Sequence, residues 1–331
     1  MTVSASSPTY SVVIPIYNEQ DSLPELQRRL TAVFDKLDGD VEVILVDDGS
    51  TDLGYLMELE IHRADPRFKV AQLARNFGHQ LAITAGIDLA RGDAVVVMDG
   101  DLQHPPELIP ELAARWRDGY EVVYGVMVAR PEGWFKRTTA RVYYKLLRRL
   151  ATVEIPEATG DFRLADRRAI DAFRAMPEQN RFVRGMFAWI GFRQIGVSYE
   201  APPRHAGSSK YTVRRMVRLA TDGLLSFSTK PLRLVLDIGF VVSLLAFLFG
   251  VATLISKFFG AFLVPGWLTI VLVTSFIGGI QLIVIGVVGE YVGRIYDEVK
   301  ARPLYLVREL HGFERDATPR QPVPPAELRS P

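Results

Sequence analysis

The sequence predicts an α/β fold, a mostly parallel sheet covered by helices, followed by a pair of membrane-crossing helices. Three observations predict it. Short apolar runs alternate with helix-period stretches of about a dozen residues, the pattern of βαβ units in a sheet covered on both faces. Hydrophobic content concentrates after Leu232 in two uncharged stretches, each long enough to cross a bilayer. The apolar run Val95–Met98 ends in Asp99-Gly100-Asp101, which puts two carboxylates just past the carboxyl end of a strand, where open α/β sheets bind ligands.

The elements follow in order. Tyr10 to Ile16 reads as a buried strand closed by Pro15, with Tyr17-Asn18-Glu19 as a loop. Ser22-Leu23-Pro24-Glu25 has capping-box spacing, and Leu23, Leu26, Leu30, Val33, Phe34 and Leu37 continue with helical period until Gly39. Val41 to Val46 is a second buried strand running into Asp47-Asp48-Gly49-Ser50. A helix through Leu56 and Leu59, a strand at Phe68–Leu73 and a helix at Gly78–Leu89 lead to the strand Ala94–Met98. Gly100 allows a tight turn between the two carboxylates. Such a pair can hold one hard divalent cation and leave positions open for a diphosphate; the bland alternative is a solvated Asp-Gly-Asp turn. Pro106 opens a helix to Trp116, and Glu121–Tyr124 is a strand.

After Gly125 the chain turns basic and aromatic, with an amphipathic helix expected over Trp134–Leu150. Thr159-Gly160-Asp161-Phe162-Arg163-Leu164 precedes helices at Asp166–Ala175 and Phe182–Trp189, a strand at Phe192–Tyr199 and a loop at Pro202–Lys210. Thr212 to Phe227 has Arg214, Arg215 and Arg218 on a polar side and apolar residues opposite, which suits a surface helix at a membrane. Ile238–Ser256 and Trp267–Gly289 carry no charge, and each reaches across about 30 Å of hydrocarbon at about 1.5 Å per residue. Joined near Pro265-Gly266, they read as a hairpin. Lys and Arg flank it on both outer sides, with only Lys257 between. The positive-inside rule therefore places the catalytic domain and both termini in the cytoplasm. Small residues from Gly278 to Gly293 suit close helix packing. The expected divisions are a catalytic domain over 1–210, an interfacial helix over 211–231, transmembrane helices within 232–293 (about 234–256 and 267–289), and a cytoplasmic tail over 294–331, disordered after about 313.

Composition narrows the classes further. The 331 residues suit one large domain or two smaller ones, and a net charge of +1 gives no reason to expect a nucleic-acid partner. The absence of cysteine excludes disulfides and thiolate sites. No signal peptide is read in Met1–Thr9. Neither a Gly-x-Gly-x-x-Gly after the first strand nor a P-loop is present, which counts against dinucleotide and P-loop folds.

Taken together, Val13-Ile14-Pro15-Ile16-Tyr17-Asn18-Glu19, Val46-Asp47-Asp48-Gly49-Ser50-Thr51-Asp52, Arg75-Asn76-Phe77-Gly78, Asp99-Gly100-Asp101-Leu102-Gln103, Thr159-Gly160-Asp161-Phe162-Arg163 and Lys300-Ala301-Arg302-Pro303-Leu304-Tyr305 resemble the polyprenyl-phosphate glycosyltransferases of glycosyltransferase family 2. The nearest likeness is to the bacterial branch with a membrane hairpin that glucosylates undecaprenyl phosphate; dolichol-phosphate mannose synthases are more distant. The resemblance covers Tyr10 to Val307.

It implies a GT-A fold and a set of roles. Pro15, Tyr17 and Glu19 would line the nucleotide pocket, with Asp48, backed by Asp47, at the base or ribose. Asp99, Asp101 and Gln103 would hold Mg²⁺ or Mn²⁺ against the donor diphosphate. Asp161 would sit beside the transferred sugar. Arg130, Arg137 and Arg204 would meet the lipid phosphate, with Lys210 near the membrane surface. Many members carry an arginine directly after the Tyr-Gly of the fifth strand; here Val126 and Met127 stand there. The implied partners are a UDP-glucose-like donor, a polyprenyl phosphate, the cytoplasmic membrane and further copies of the chain, up to a tetramer.

A metal ion suits a leaving nucleoside diphosphate, and arginine suits a phosphate nucleophile that is already ionised and needs no strong base. In-line attack would invert the anomeric centre. Asp161 stays open between an orienting carboxylate and a base, with a helix cap as its structural alternative. His79 and His104 read as loop or helix residues. Two other functions share the motifs. A processive polysaccharide synthase would need more spans and a Gln-x-x-Arg-Trp motif, which Gln179 to Arg184 and Trp189 match only loosely. A silent membrane-anchored nucleotide-binding scaffold would hydrolyse no donor.

Overall fold

The structure, a computed structural model, describes residues 8–128, 159–200 and 266–314, with scattered helical residues between 232 and 255. The expected helix over Trp134–Leu150, the loop at 202–210 and the surface helix at 212–227 lie outside them. So does most of the first expected membrane span.

Eight strands form one sheet. In chain order the elements are β1 (Tyr10–Ile16), α1 (Leu23–Phe34), β2 (Val41–Asp47), α2 (Gly54–Ala64), β3 (Phe68–Leu73), α3 (His79–Leu89), β4 (Ala94–Val97), a 3₁₀ turn (Pro106–Leu108), α4 (Ile109–Arg117), β5 (Val122–Met127), β6 (Thr159–Asp166), α5 (Arg167–Arg174), α6 (Val183–Ile190), β7 (Gln194–Tyr199), α7 (Trp267–Lys300) and β8 (Val307–His311). The strand order is β7-β5-β6-β4-β1-β2-β3-β8. Strands β1, β2, β3 and β4 run parallel, as do β5 and β7. The antiparallel pairs are β4–β6, β5–β6 and β3–β8.

Every residue of β1 and β2 is buried, as a sheet covered on both faces requires. Period-two alternation assigns the faces. Val12, Ile14 and Ile16 pack with Leu26 and Leu30 of α1 and Leu112 of α4, whereas Val13 packs with Ile83 of α3 and Phe173 of α5. The order 3-2-1-4 reverses direction between β1 and β4, so a crevice opens where these strands end. The loops from Tyr17 and from Asp99 flank it.

Sequence reading missed two strands. Strand β6 runs antiparallel between β4 and β5, with Asp161 on it; its polar Thr-Gly-Asp start hides the pattern. Strand β8 caps the edge of β3, although its Val-Arg-Glu-Leu-His sequence is more polar than apolar. Two local expectations are corrected. Ser22 makes no side-chain cap to α1; its hydroxyl instead donates to the Glu19 carbonyl at 2.9 Å. Gly100 does not supply the left-handed turn residue. That residue is Leu102, with φ +62°. Gly100 is required by space, because a Cβ there would lie 2.6 Å from Ile16 Cδ1.

Among the described residues, one helix is long and apolar enough to cross a membrane, Phe276–Lys300 within α7. It continues eleven residues beyond the expected end at Gly289, and Phe276, Leu282, Ile283, Ile285 and Val288 are exposed along it. A second, shorter apolar helical stretch covers Gly239–Phe249. The two-helix hairpin is thus not established by the described residues.

Candidate active site

At the carboxyl edge, two loops are laced together. Asn18 takes a left-handed conformation (φ +54°), and its side-chain carbonyl accepts the Thr51 amide at 2.8 Å. Its own amide donates to Ser50 Oγ at 3.1 Å, and the Gln20 amide donates to Asp52 Oδ2 at 3.2 Å. These bonds fix the Tyr17–Gln20 loop on the Asp48–Asp52 loop, with Tyr17 exposed above them. Pro15 lies buried inside β1, paired with Val46. Glu19 Oε2 accepts from Ser22 Oγ at 3.3 Å.

Both carboxylates expected at the nucleotide are buried, and each has work within the protein. Asp48 accepts the amides of Phe77 and Gly78 at 2.7 and 2.9 Å, which fastens the Arg75–Gly78 loop. Burial nevertheless raises its carboxyl above the ordinary value, against those two bonds. Asp47 Oδ1 accepts the Ser50 amide at 3.0 Å, while Oδ2 is buried with no hydrogen-bond partner. Below lies Glu58 of α2, fully buried, with neither oxygen hydrogen-bonded. Burial and the charges of Asp47 and Asp52 push its carboxyl well above the ordinary range.

A stability prediction follows from Glu58. The unfolded chain releases its Glu58 proton near pH 4.5, while the folded chain retains it to higher pH. Stability therefore falls as pH rises from the unfolded value toward the folded one. Glu58→Gln removes that loss. Its thermal midpoint should exceed the parent's at pH 8, and the gain should vanish at pH 4. An equal shift at both pH values would mean that Glu58 is ionised in the fold.

The Asp99–Gln103 turn lies across the crevice. The Asp99 amide donates to His104 Nδ1 at 3.0 Å, which places the proton of a neutral His104 on Nε2; the ring stacks on Phe162. Asp101 Oδ1 accepts the Gln103 amide at 3.1 Å. Between these two lies Leu102, a buried non-glycine residue in the left-handed region, a cost kept where the surroundings impose the geometry. Asp99 Oδ1 is buried and has no hydrogen-bond partner. The near neighbour of that oxygen is His79 Nε2 at 3.3 Å, and with a second carboxylate and a side-chain amide close by in sequence it belongs to a hard-oxygen donor set of the kind that fits Mg²⁺ or Mn²⁺. No group of three or more His, Cys, Asp or Glu that could hold a metal occurs among the described residues, so these donors alone do not fill a coordination sphere.

Facing the turn, Asp161 is almost completely buried, with 2% exposure. Arg184 Nε donates to its Oδ1 at 2.9 Å, and Gln80 Nε2 donates to its Oδ2 at 3.1 Å. His79 Nε2 lies 3.2 Å from Oδ2 and 3.3 Å from Asp99 Oδ1. Burial alone would raise the Asp161 carboxyl, but Arg184 and His79 together hold it well below the ordinary carboxylate range. In return, and against burial, Asp161 and Asp99 push the imidazole of His79 up to about 9. A third cation, Arg163, lies buried over the Phe187 ring, its Nη2 donating to the Gly160 carbonyl at 3.1 Å. Burial lowers its guanidinium to about 10, although Asp161 pulls the other way.

The structure therefore gathers Tyr17, Glu19, Asp47, Asp48, Asp99, Asp101, Gln103 and Asp161 around one edge. Arg130, Arg137, Arg204 and Lys210 lie outside the described residues. Asp161 is on a strand and caps no helix; the neighbouring cap is Asp166, which accepts the Arg168 amide. Sequence reasoning passed over His79, Gln80 and Arg184. His79 and Gln80 follow Phe77-Gly78 in an already noted motif. Arg184 is close to Asp161 only through the fold.

A family model described as "Glycosyl transferase family 2" matches residues 11–174. The "Uncharacterized glycosyltransferase YkcC" of Bacillus subtilis (strain 168) is 44% identical over 306 residues, 92% of this chain and 95% of that protein. The "Bactoprenol glucosyl transferase" of Shigella phage SfII is 37% identical over 302 residues, 91% of this chain and 98% of that one. The "Prophage bactoprenol glucosyl transferase homolog" of Escherichia coli (strain K12) is 36% identical over 301 residues, with the same coverage of both chains.

Proposed function

The chain belongs to glycosyl transferase family 2, and on that premise we propose that it is a membrane-bound inverting transferase. It moves glucose, or a glucose-like sugar, from a UDP-sugar to the phosphate of a polyprenyl phosphate, giving a polyprenyl-monophosphoryl sugar. The observation that carries the reading is the Asp99–Asp101 turn at the β1/β4 crevice, facing a buried carboxylate paired to Arg184 and His79. Near-full-length likeness to bactoprenol glucosyl transferases supports the lipid acceptor and the sugar.

In this reading Asp99, Asp101 and Gln103 hold a Mg²⁺ or Mn²⁺ ion, whose positive charge stabilises the departing nucleoside diphosphate. Tyr17 and Glu19 border the nucleotide, while Asp47 and Asp48 set the shape of its pocket through the loops they fasten. Asp161 orients Arg184 and His79 toward the reacting centre. A carboxylate held so far below the ordinary range is a weak base, and a phosphate nucleophile needs none. Arg130, Arg137 and Arg204 clamp the lipid phosphate, with Lys210 at the surface. The exposed apolar helix supports an integral membrane protein. Loop charge supports a hairpin with the catalytic domain and both termini in the cytoplasm.

Incubation with divalent metal, undecaprenyl phosphate and a panel of radiolabelled sugar nucleotides tests the reading. Label from one donor should enter the organic phase. Donor hydrolysis without lipid labelling would strike the acceptor, and no turnover of any donor would favour a silent scaffold. Arg204→Ala should raise the KM for lipid about tenfold or more, the loss of a charge-assisted phosphate contact, with donor binding unchanged. An unaltered lipid KM removes Arg204 from the site.

A further inference from the structure

The segment that follows α7 is tied to the two elements that complete the Asp161 site. Helix α7 stops at Ala301, which adopts a left-handed conformation (φ +45°). The chain then crosses to the sheet edge: Tyr305 Oη donates to Asp88 Oδ2 at 2.9 Å, the Ala74 amide donates to the Leu306 carbonyl at 2.8 Å, and β8 pairs with β3. In the last turn of the helix, Glu298 Oε1 accepts the Gln179 amide at 2.8 Å.

Arg181 lies inside this junction. Its Nη2 donates to the Met176 carbonyl at 2.6 Å and its Nε to the Glu178 carbonyl at 3.2 Å. The charges of Asp88, Glu178 and Glu298 and the phenol of Tyr305 act on it from the surrounding elements. Arg181 Nη1, Glu178 Oε2 and Arg174 Nε are buried without a hydrogen-bond partner. Such a cation is tolerated only while anionic groups from several elements converge on it.

The other ends of these elements reach the reaction centre. Arg184, which pairs with Asp161, is three residues beyond Arg181. The Val183 amide at the start of α6 donates to Gln80 Oε1 at 2.9 Å, and the amide nitrogen of the same Gln80 donates to Asp161. Asp88, which receives Tyr305, is on the helix that begins with His79 and Gln80. The Asp47–Asp52 loop is fastened elsewhere, through Asn18, Gln20 and the Phe77 and Gly78 amides.

We propose that Arg181 and Tyr305 are positioning residues for sugar transfer. Through them the end of α7 and its strap hold α6 and α3 so that Arg184, His79 and Gln80 stay on Asp161. Donor binding does not depend on them. The inference rests on the proposed transferase reading for its kinetic part, and its structural part stands apart from that reading.

The test uses the full-length chain in lipid nanodiscs. Arg181→Gln should lower kcat for lipid glycosylation tenfold or more. Nucleotide affinity of the folded chain should stay within threefold, while the thermal midpoint should fall because Asp88, Glu178 and Glu298 lose their shared counter-charge. Amide hydrogen exchange over residues 177–190 should quicken at least tenfold, while β1, β2 and β4 stay protected. Tyr305→Phe, the milder variant, should give the same pattern at smaller amplitude, and Arg181→Lys should recover part of the rate. Exchange unchanged over 177–190 overturns the proposal whatever the reaction is. So does a fall in nucleotide affinity equal to the fall in kcat. If the parent chain labels no lipid, the transferase reading fails, and the exchange measurement still decides whether the junction holds α6.

Discussion

Asp101→Asn is expected to remove sugar transfer, lowering kcat/KM by about a thousandfold, close to 4 kcal/mol, while the chain still folds and inserts. The loss comes from charge. Asp101 and Asp99 are the two carboxylates at the end of the β1/β4 crevice, and on the proposed reading the burden of a departing diphosphate would fall on the cation they would hold. An amide keeps an oxygen of similar size and can still accept the Gln103 amide, now at 3.1 Å from Asp101 Oδ1. The turn and its left-handed Leu102 should therefore survive. Far-ultraviolet dichroism and the thermal midpoint should match the parent, and metal-dependent tightening of nucleotide binding should disappear. Transfer above a tenth of the parent rate would place the metal elsewhere, as would nucleotide binding that still tightens with metal. Asn at 101 with normal folding but no donor hydrolysis at any metal concentration is the result that fits the reading.

Much of this site could be read before any coordinates. The Asp99 and Asp101 carboxylates lie in adjacent sequence, at the end of an apolar run that can be only a buried strand or helix. Local pattern therefore places them. The same holds for Asp47 and Asp48 at the end of β2. Asp161 was named through its motif, but its environment was not legible, because its partners come from positions 79, 80 and 184 and meet only when β6 threads between β4 and β5. Strand β6 itself was hidden, since a Thr-Gly-Asp start lacks the β-branched run that marks a buried strand. Strand β8 was hidden for the opposite reason: an edge strand needs little hydrophobicity and resembles a polar linker. Asp48 shows what its motif leaves unsaid: each of its oxygens accepts one amide, from Phe77 and from Gly78, so it also fastens the loop beside the crevice.

Asp161→Asn should cost both stability and rate, and its coupling to Arg184 separates an orienting carboxylate from a base. Among the described residues the carboxylate is the one acidic side chain within ion-pair distance of the Arg163 guanidinium, and it also pairs with Arg184 and His79. Neutralising it leaves the buried Arg163 and the partly exposed Arg184 and His79 without their counter-charge, a change that costs up to about 3–5 kcal/mol when a buried pair is broken. The new amide group would also set a donor against the Gln80 or His79 donors. The thermal midpoint should drop by roughly 10 °C for a domain of this size. Transfer by the folded fraction should fall about a hundredfold or more, the range found when a preorganised charge is removed from a reacting centre. If Asp161 acts by holding Arg184 in place, Arg184→Gln should lose nearly as much rate, and the double variant should lose little beyond either single one, because residues acting as one unit are not additive. A base behaves differently. Without Arg184 its carboxyl would rise toward the ordinary range, since burial is then opposed by His79 and no longer by the guanidinium. Arg184→Gln would retain substantial transfer with an acid limb moved to higher pH, and the double variant would fall much further. Rates of the four chains measured from pH 5 to pH 9 give the coupling directly. Near-additive losses with a shifted acid limb would make Asp161 a base and end the orienting assignment.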